Sequence, residues 1–145
     1  MHMKTYLAMA ALLLGMVACC GAKKQPLEGG VWKLASMSSI PAEAIAVADD
    51  AFTLEFNAAD TMAYGRTSCN RFFGKYEAGT DGALHFGNLG ATRMMCPGVE
   101  YETAFLLMLD AVDRYEIRKG ELTLYGNGLP LATFRPTEKP AEAQH

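Results

Sequence analysis

The sequence predicts a mainly β fold of the α+β class: a small antiparallel β-barrel-like or strongly curled sheet with one main α-helix inserted. Three observations carry that expectation. Apolar and polar residues alternate over short runs, as at Phe52, Leu54 and Phe56 against Thr53, Glu55 and Asn57, which is the period of a half-buried strand. The runs are separated by the pairs Asp81-Gly82, Lys119-Gly120 and Asn127-Gly128, which tolerate the positive φ of tight hairpin turns. Only Tyr101, Phe105, Met108, Leu109 and Val112 fall at helical spacing, and a doubly wound parallel sheet needs more helices than that. Short strands of this kind close or curl, with the helix plugging or covering one end.

At the N-terminus, Lys4 precedes an apolar run from Tyr6 to Val17 that is followed by small residues. That order is the order of a secretory signal. The run is also shorter than the roughly 20 residues needed to span a bilayer. Met16, Val17, Ala18 and Cys19 resemble a bacterial lipobox, with Met16 where Leu is usual. The expectation is therefore a signal peptide over residues 1–18 and acylation of Cys19, against the alternative of an ordinary signal-peptidase cut beside an uninvolved cysteine. The protein is then exported and lipid-anchored in the cell envelope. In a cell with two membranes, the lack of Asp after Cys19 resembles lipoproteins of the outer membrane, on its periplasmic face. Anchoring by palmitate-type chains is stable when more than one is attached.

Residues 19–30 hold Lys23, Lys24, Pro26 and the pair Gly29-Gly30, a composition suited to a lipidated tether. A single domain is expected over 31–135, and 136–145 reads as a disordered polar tail. The net charge of −3 leaves no basic footprint for nucleic acid.

Within the domain, Trp32, Leu34 and Ser36 alternate with Lys33 and Ala35 as a first strand with Trp32 inward. Pro41 to Asp50 reads as a loop with a helical turn. Phe52 to Asn57 and Thr61 to Tyr64 form a hairpin around Ala58 to Asp60. Lys75 to Ala78 and Ala83 to Phe86 pair across Asp81-Gly82. The stretch Ala91 to Gly98, ATRMMCPG, marks the joint where the strand pattern stops and the helix starts, with Pro97 suited to a first helical turn. Glu100 and Glu102 suit the positive end of that helix and read as solvated surface. Tyr115 to Ile117, Leu122 to Leu124 and Leu131 to Phe134 close the sheet.

Together, Trp32-x-Leu34, Ser68-Cys69-Asn70-x-Phe72-x-Gly74-x-Tyr76, Thr92-Arg93-Met94-Met95-Cys96-Pro97, the Glu-bearing helix and the closing Leu122-Thr123-Leu124 resemble the META domain, or HslJ-like, family over about Val31 to Phe134. Ser68 stands where that family usually has Gly. The resemblance implies a small barrel-like domain, common on bacterial envelope lipoproteins and linked to heat shock, the stress response and antibiotic tolerance. It implies no catalytic activity and no cofactor.

In an oxidising compartment Cys69 and Cys96 are natural disulfide partners; the alternative is that both stay reduced and pack as small apolar side chains. Asn70, Phe72, Thr92 and Arg93 are candidates for a cleft at the barrel mouth or for organising the joint itself. The functional expectation is a non-enzymatic binding or assembly module whose opening, lined by Phe72, Phe73, Phe105 and Met108, accepts an acyl chain or an envelope-protein segment. The alternative is a structural, stress-protective lipoprotein with a filled barrel and no ligand. Two remoter readings are a soft-metal site at Met94, Met95 and Cys96, where one methionine more naturally fills the core, and an enzyme using His85 with Ser39, Ser68 or Cys69, whose spacing matches no motif.

Overall fold

The computed structural model describes residues 25–138. Nine strands and two helices follow in the order β1 (Val31–Met37), α1 (Ala42–Ile45), β2 (Thr53–Asn57), β3 (Met62–Arg66), β4 (Arg71–Ala78), β5 (Leu84–Phe86), β6 (Gly90–Ala91), α2 (Val99–Asp110), β7 (Arg114–Arg118), β8 (Glu121–Gly126) and β9 (Leu129–Thr137). The sheet is antiparallel and runs β5-β4-β3-β2-β1-β9-β8-β7, with β6 also on β4. It curls until its ends meet. Ala83 bridges Arg114, the Leu84 N–H donates to Asp113 O at 3.1 Å and the Tyr115 N–H to Gly82 O at 2.9 Å. The mainly β, barrel-like architecture read from the alternation is the one the chain adopts.

The turns follow their chemistry. Lys119-Gly120 and Asn127-Gly128 each place both residues at positive φ, 51° and 76° in both pairs, the geometry that joins twisted strands without splaying them. Gly65 serves another purpose: a Cβ there would collide with Thr53 O and the Phe72 ring, so the missing side chain is what lets Phe72 lie flat across β3.

Inside the curl, Trp32, Leu34, Leu54, Phe56, Phe72, Leu122, Leu124 and Phe134 are all buried. The helix α2 brings Phe105 into their midst, completely buried. Its ring centroid stands 5.5 Å from Phe52, 5.8 Å from Phe72 and 6.2 Å from Phe134. These offset and edge-on contacts are favourable ring geometries.

Several local expectations need correction. Ser36 is exposed because the β1–β9 register shifts between Leu34 and Ser36, which breaks the alternation. Phe52 is not in a strand but at φ 53°, with its ring still inward. Thr53 is buried, because its hydroxyl donates to Asp50 O at 3.4 Å and accepts from the Arg66 N–H at 3.3 Å. Pro97 precedes the α2 N-cap, Gly98, whose φ of 83° turns the chain into the helix. The expected tail boundary falls inside β9, since Trp32 pairs with Pro136 and Val31 with Thr137. Residues 139–145 of that tail lie outside the described residues.

The described part of the expected tether, from Gln25 to Gly30, is packed on the domain. Leu27 is buried and its carbonyl accepts the Trp32 indole N–H at 2.9 Å. Glu28 accepts the Tyr76 hydroxyl at 3.2 Å. Burial, followed by the nearby Glu28 carboxylate, pushes the Tyr76 phenol up to about 12 and also raises Tyr115. Lys33 fastens the opposite loop: its ammonium donates to Ile45 O and Ala48 O, each at 2.8 Å, and to Ala51 O. Burial lowers its pKa against the pull of Asp49 and Asp50.

Candidate functional site

The joint between sheet and helix is where the polar side chains converge. A four-residue turn begins it. The Thr67 N–H donates to Asn70 O at 2.8 Å, the Thr67 hydroxyl to the same oxygen at 3.2 Å, and the Asn70 N–H to Thr67 Oγ1 at 3.2 Å. Such local bonds are what Thr and Asn offer a turn. They leave the Asn70 side chain pointing across to the segment that follows β6.

There Asn70 Oδ1 accepts the Met94 N–H at 2.7 Å and the Thr92 hydroxyl at 2.9 Å. Thr92 Oγ1 in turn accepts the Arg71 N–H at 3.0 Å. Asn70 Nδ2 donates to Met94 O at 3.1 Å and to both carboxylate oxygens of Glu102, at 3.0 and 2.9 Å. A carboxylate only accepts, so the amide orientation follows from its partner. Asn70 is 2% exposed and Glu102 8%, so these bonds are made away from water, where leaving either group unsatisfied is costly. Glu102 also lies in the first turn of α2, whose free N–H groups favour a negative charge.

Beside this clamp the structure places the Cys69 and Cys96 sulfurs at bonding distance, with Cα atoms 6.5 Å apart across a sequence separation of 27. The disulfide and the Asn70 network thus tie the same two segments. Only the network reaches the helix itself.

Of the candidate residues, Asn70 and Thr92 belong to this network, and they organise the joint instead of lining a cleft. Phe72 is a core residue against Phe105. Arg93 is exposed and takes no part in the network. The expected opening is not formed by the residues assigned to it: Phe72, Phe105 and Met108 are buried inside, while Phe73 is 50% exposed on the outer face. Neither methionine fills the core, Met94 being 57% and Met95 96% exposed; the joint uses the Met94 backbone. Among the described residues no group of three or more His, Cys, Asp or Glu is placed to hold a metal. His85 is exposed on β5, opposite Glu77, and Ser68 has a buried hydroxyl with no partner; no contact joins them. Cys19 lies outside the described residues.

Glu102 is the site residue that sequence reasoning missed. The signal was present: Glu102, Phe105 and Leu109 are spaced three and four apart, so the carboxylate shares the helix face that packs inward.

The sequence profile of the META domain family matches residues 25–138. Among solved structures, an NMR structure of a protein from Burkholderia xenovorans is 27% identical, with a TM-score of 0.61 over 78% of this chain and 85% of that one. A second protein solved by NMR is 25% identical, with a TM-score of 0.57 over 75% and 90%. A DUF4847 family protein from Bacteroides vulgatus, 16% identical with a TM-score of 0.57 over 79% and 96%, shares the fold. No curated protein matches the chain.

Proposed function

The chain belongs to the META domain family, and from that membership we propose that it is a non-catalytic envelope module, held to a membrane by an acylated Cys19, with a filled barrel and a function on its outer surface. The observation that carries this reading is the placement of Phe105, whose ring occupies the interior between Phe52, Phe72 and Phe134. A barrel that stores a ligand keeps an apolar cavity, with a few convergent polar groups at its wall. Here the convergent polar groups, Asn70, Thr92 and Glu102, are spent on one another. One surface depression, on the outer face of β7 and β8, is lined by Glu116, Arg118, Lys119, Glu121, Thr123 and Tyr125. Its charged rim suits contact with another surface. A role in envelope stress or antibiotic tolerance is the physiological form of this proposal, supported by family resemblance.

The anchoring reading rests on Lys4, the Tyr6 to Val17 run and Ala18-Cys19. It places the protein at the cell envelope, on the periplasmic face of the outer membrane where two membranes exist. The expected result is that Cys19→Ala abolishes acylation, so that the protein either leaves the membrane fraction or keeps an uncleaved signal. Normal processing with unchanged membrane fractionation refutes the anchor.

A further inference from the structure

The outer face of β2, β3 and β4 presents two aromatic rings to solvent, and we propose that they form a platform for a neutral, β-linked glycan. The proposal rests on the reading of the outer surface as the working face. Tyr64 and Phe73 oppose each other across the β3–β4 pairing and are 37% and 50% exposed. Each ring is held from a different side. A Cβ on Gly90, which pairs with Phe73 from β6, would stand 3.1, 3.3 and 3.6 Å from three consecutive carbons at the tip of the Phe73 ring. Distances that similar require an approach from above the ring plane, so the ring lies flat on Gly90 with its other face to solvent. Any side chain at Gly90 would lift it. Tyr64 leans the other way, its hydroxyl donating to Asp60 Oδ2 at 2.5 Å. Two large rings fixed side by side in water mark a contact surface.

Size and charge select the occupant. The exposed parts of the two side chains amount to roughly 200 Å², well below the roughly 800 Å² per partner of a stable protein–protein interface. Charges surround them. Arg66 pairs with Asp50 at 2.7 Å, and beyond that pair the face holds Arg71 and Lys75 against Glu55, Asp60 and Glu77. There is no cationic excess of the kind a polyanion requires, while a ligand without charge meets donors and acceptors together. A pyranose with equatorial substituents combines a face of C–H bonds with an edge of hydroxyls. It lays the apolar face on a ring, and its hydroxyls accept from Arg71 and Lys75 and donate to Glu55 and Asp60. Equatorial linkage keeps successive sugars in one flat ribbon, so neighbouring units meet Phe73 and Tyr64 in turn.

The test titrates the full protein, extracted gently in a sugar-free detergent, with chitohexaose, a β-linked oligomer of N-acetylglucosamine, and follows the heat and the aromatic NMR signals. Saturable binding is expected that shifts the Phe73 and Tyr64 ring signals and leaves those of buried Phe105 in place. Isomaltohexaose, whose flexible α-linkages break the ribbon, should bind more weakly. Phe73→Leu, which keeps apolar bulk and loses the flat face, should weaken chitohexaose binding about tenfold, as loss of an aromatic anchor does. Gly90→Ala, which lifts the ring, should weaken it as well. Phe73→Tyr, and Leu107→Ala at an exposed apolar side chain of α2, should leave it unchanged. Absence of saturable binding, or a Phe73→Leu variant that binds as the native protein does, overturns the platform. Binding that survives Phe73→Leu and shifts the Phe105 signals would place the glycan inside the barrel and overturn the outer-surface reading too, whereas a plain failure to bind leaves that reading standing.

Discussion

Phe105→Ala is expected to destabilise the domain by about 3 to 5 kcal/mol, the cost of removing a large ring from a close-packed interior. The ring is fully buried and touches aromatic partners contributed by the segment before β2, by β4 and by β9. Its removal therefore leaves a void that no single neighbour can close. Phe105→Leu also loses the ring pairs, each about 0.5 to 1.5 kcal/mol beyond burial, but keeps much of the apolar volume, so it should cost less than alanine. Chemical denaturation with matched m-values checks the order. A cost under about 1 kcal/mol for alanine would mean that the ring borders open space, and the filled interior would be wrong.

Asn70→Ala carries the second large effect. It strips the donor from a Glu102 carboxylate that is 8% exposed and also frees the Met94 and Thr92 ends of the network. Hydrogen bonds to charged groups contribute about 1.5 to 3 kcal/mol, and an orphaned buried acceptor costs more than the bond was worth. A loss of about 3 kcal/mol is expected. Adding Glu102→Leu should recover part of it, because removing both partners spares the desolvation penalty. Replacing Cys69 and Cys96 together by Ala should cost about 2 to 5 kcal/mol through the unfolded chain. The helix should stay docked in that variant, since Asn70 reaches α2 independently of the sulfurs. Amide exchange over Val99–Asp110 separates the two: protection falls in Asn70→Ala and persists in the cysteine variant. The reverse pattern would assign the docking to the disulfide.

Much of this fold was legible because period-two alternation and Gly-bearing turns are local properties. Trp32, Leu34, Leu54 and Phe56 turn inward as the pattern requires. The misses have a common cause in contacts that no local pattern records. Ser36 faces out because of a bulge in pairing with β9, about a hundred residues away. Thr53 is buried because Asp50 and Arg66 satisfy its hydroxyl. The segment from Gln25 reads as a polar tether, yet Leu27 and Glu28 find Trp32 and Tyr76 across the barrel end. At the joint, Asn70 and Thr92 stood out as polar residues embedded in the two cysteine motifs. Their role stays open in the sequence because the third member, Glu102, looks like surface by residue type, and only its position on the helix turns it inward. The residues assigned to an opening do not share one face for a related reason. Phe72 and Phe73 are adjacent on one strand and so face opposite sides of the sheet.

Native mass spectrometry of the gently extracted protein tests the filled barrel most directly. A filled barrel predicts the mass of the acylated chain alone, unchanged when free fatty acid or phospholipid is offered at low micromolar concentration. A stoichiometric lipid adduct that survives Cys19→Ala and is lost with a bulkier residue at Met108 would place a ligand inside the barrel and contradict it.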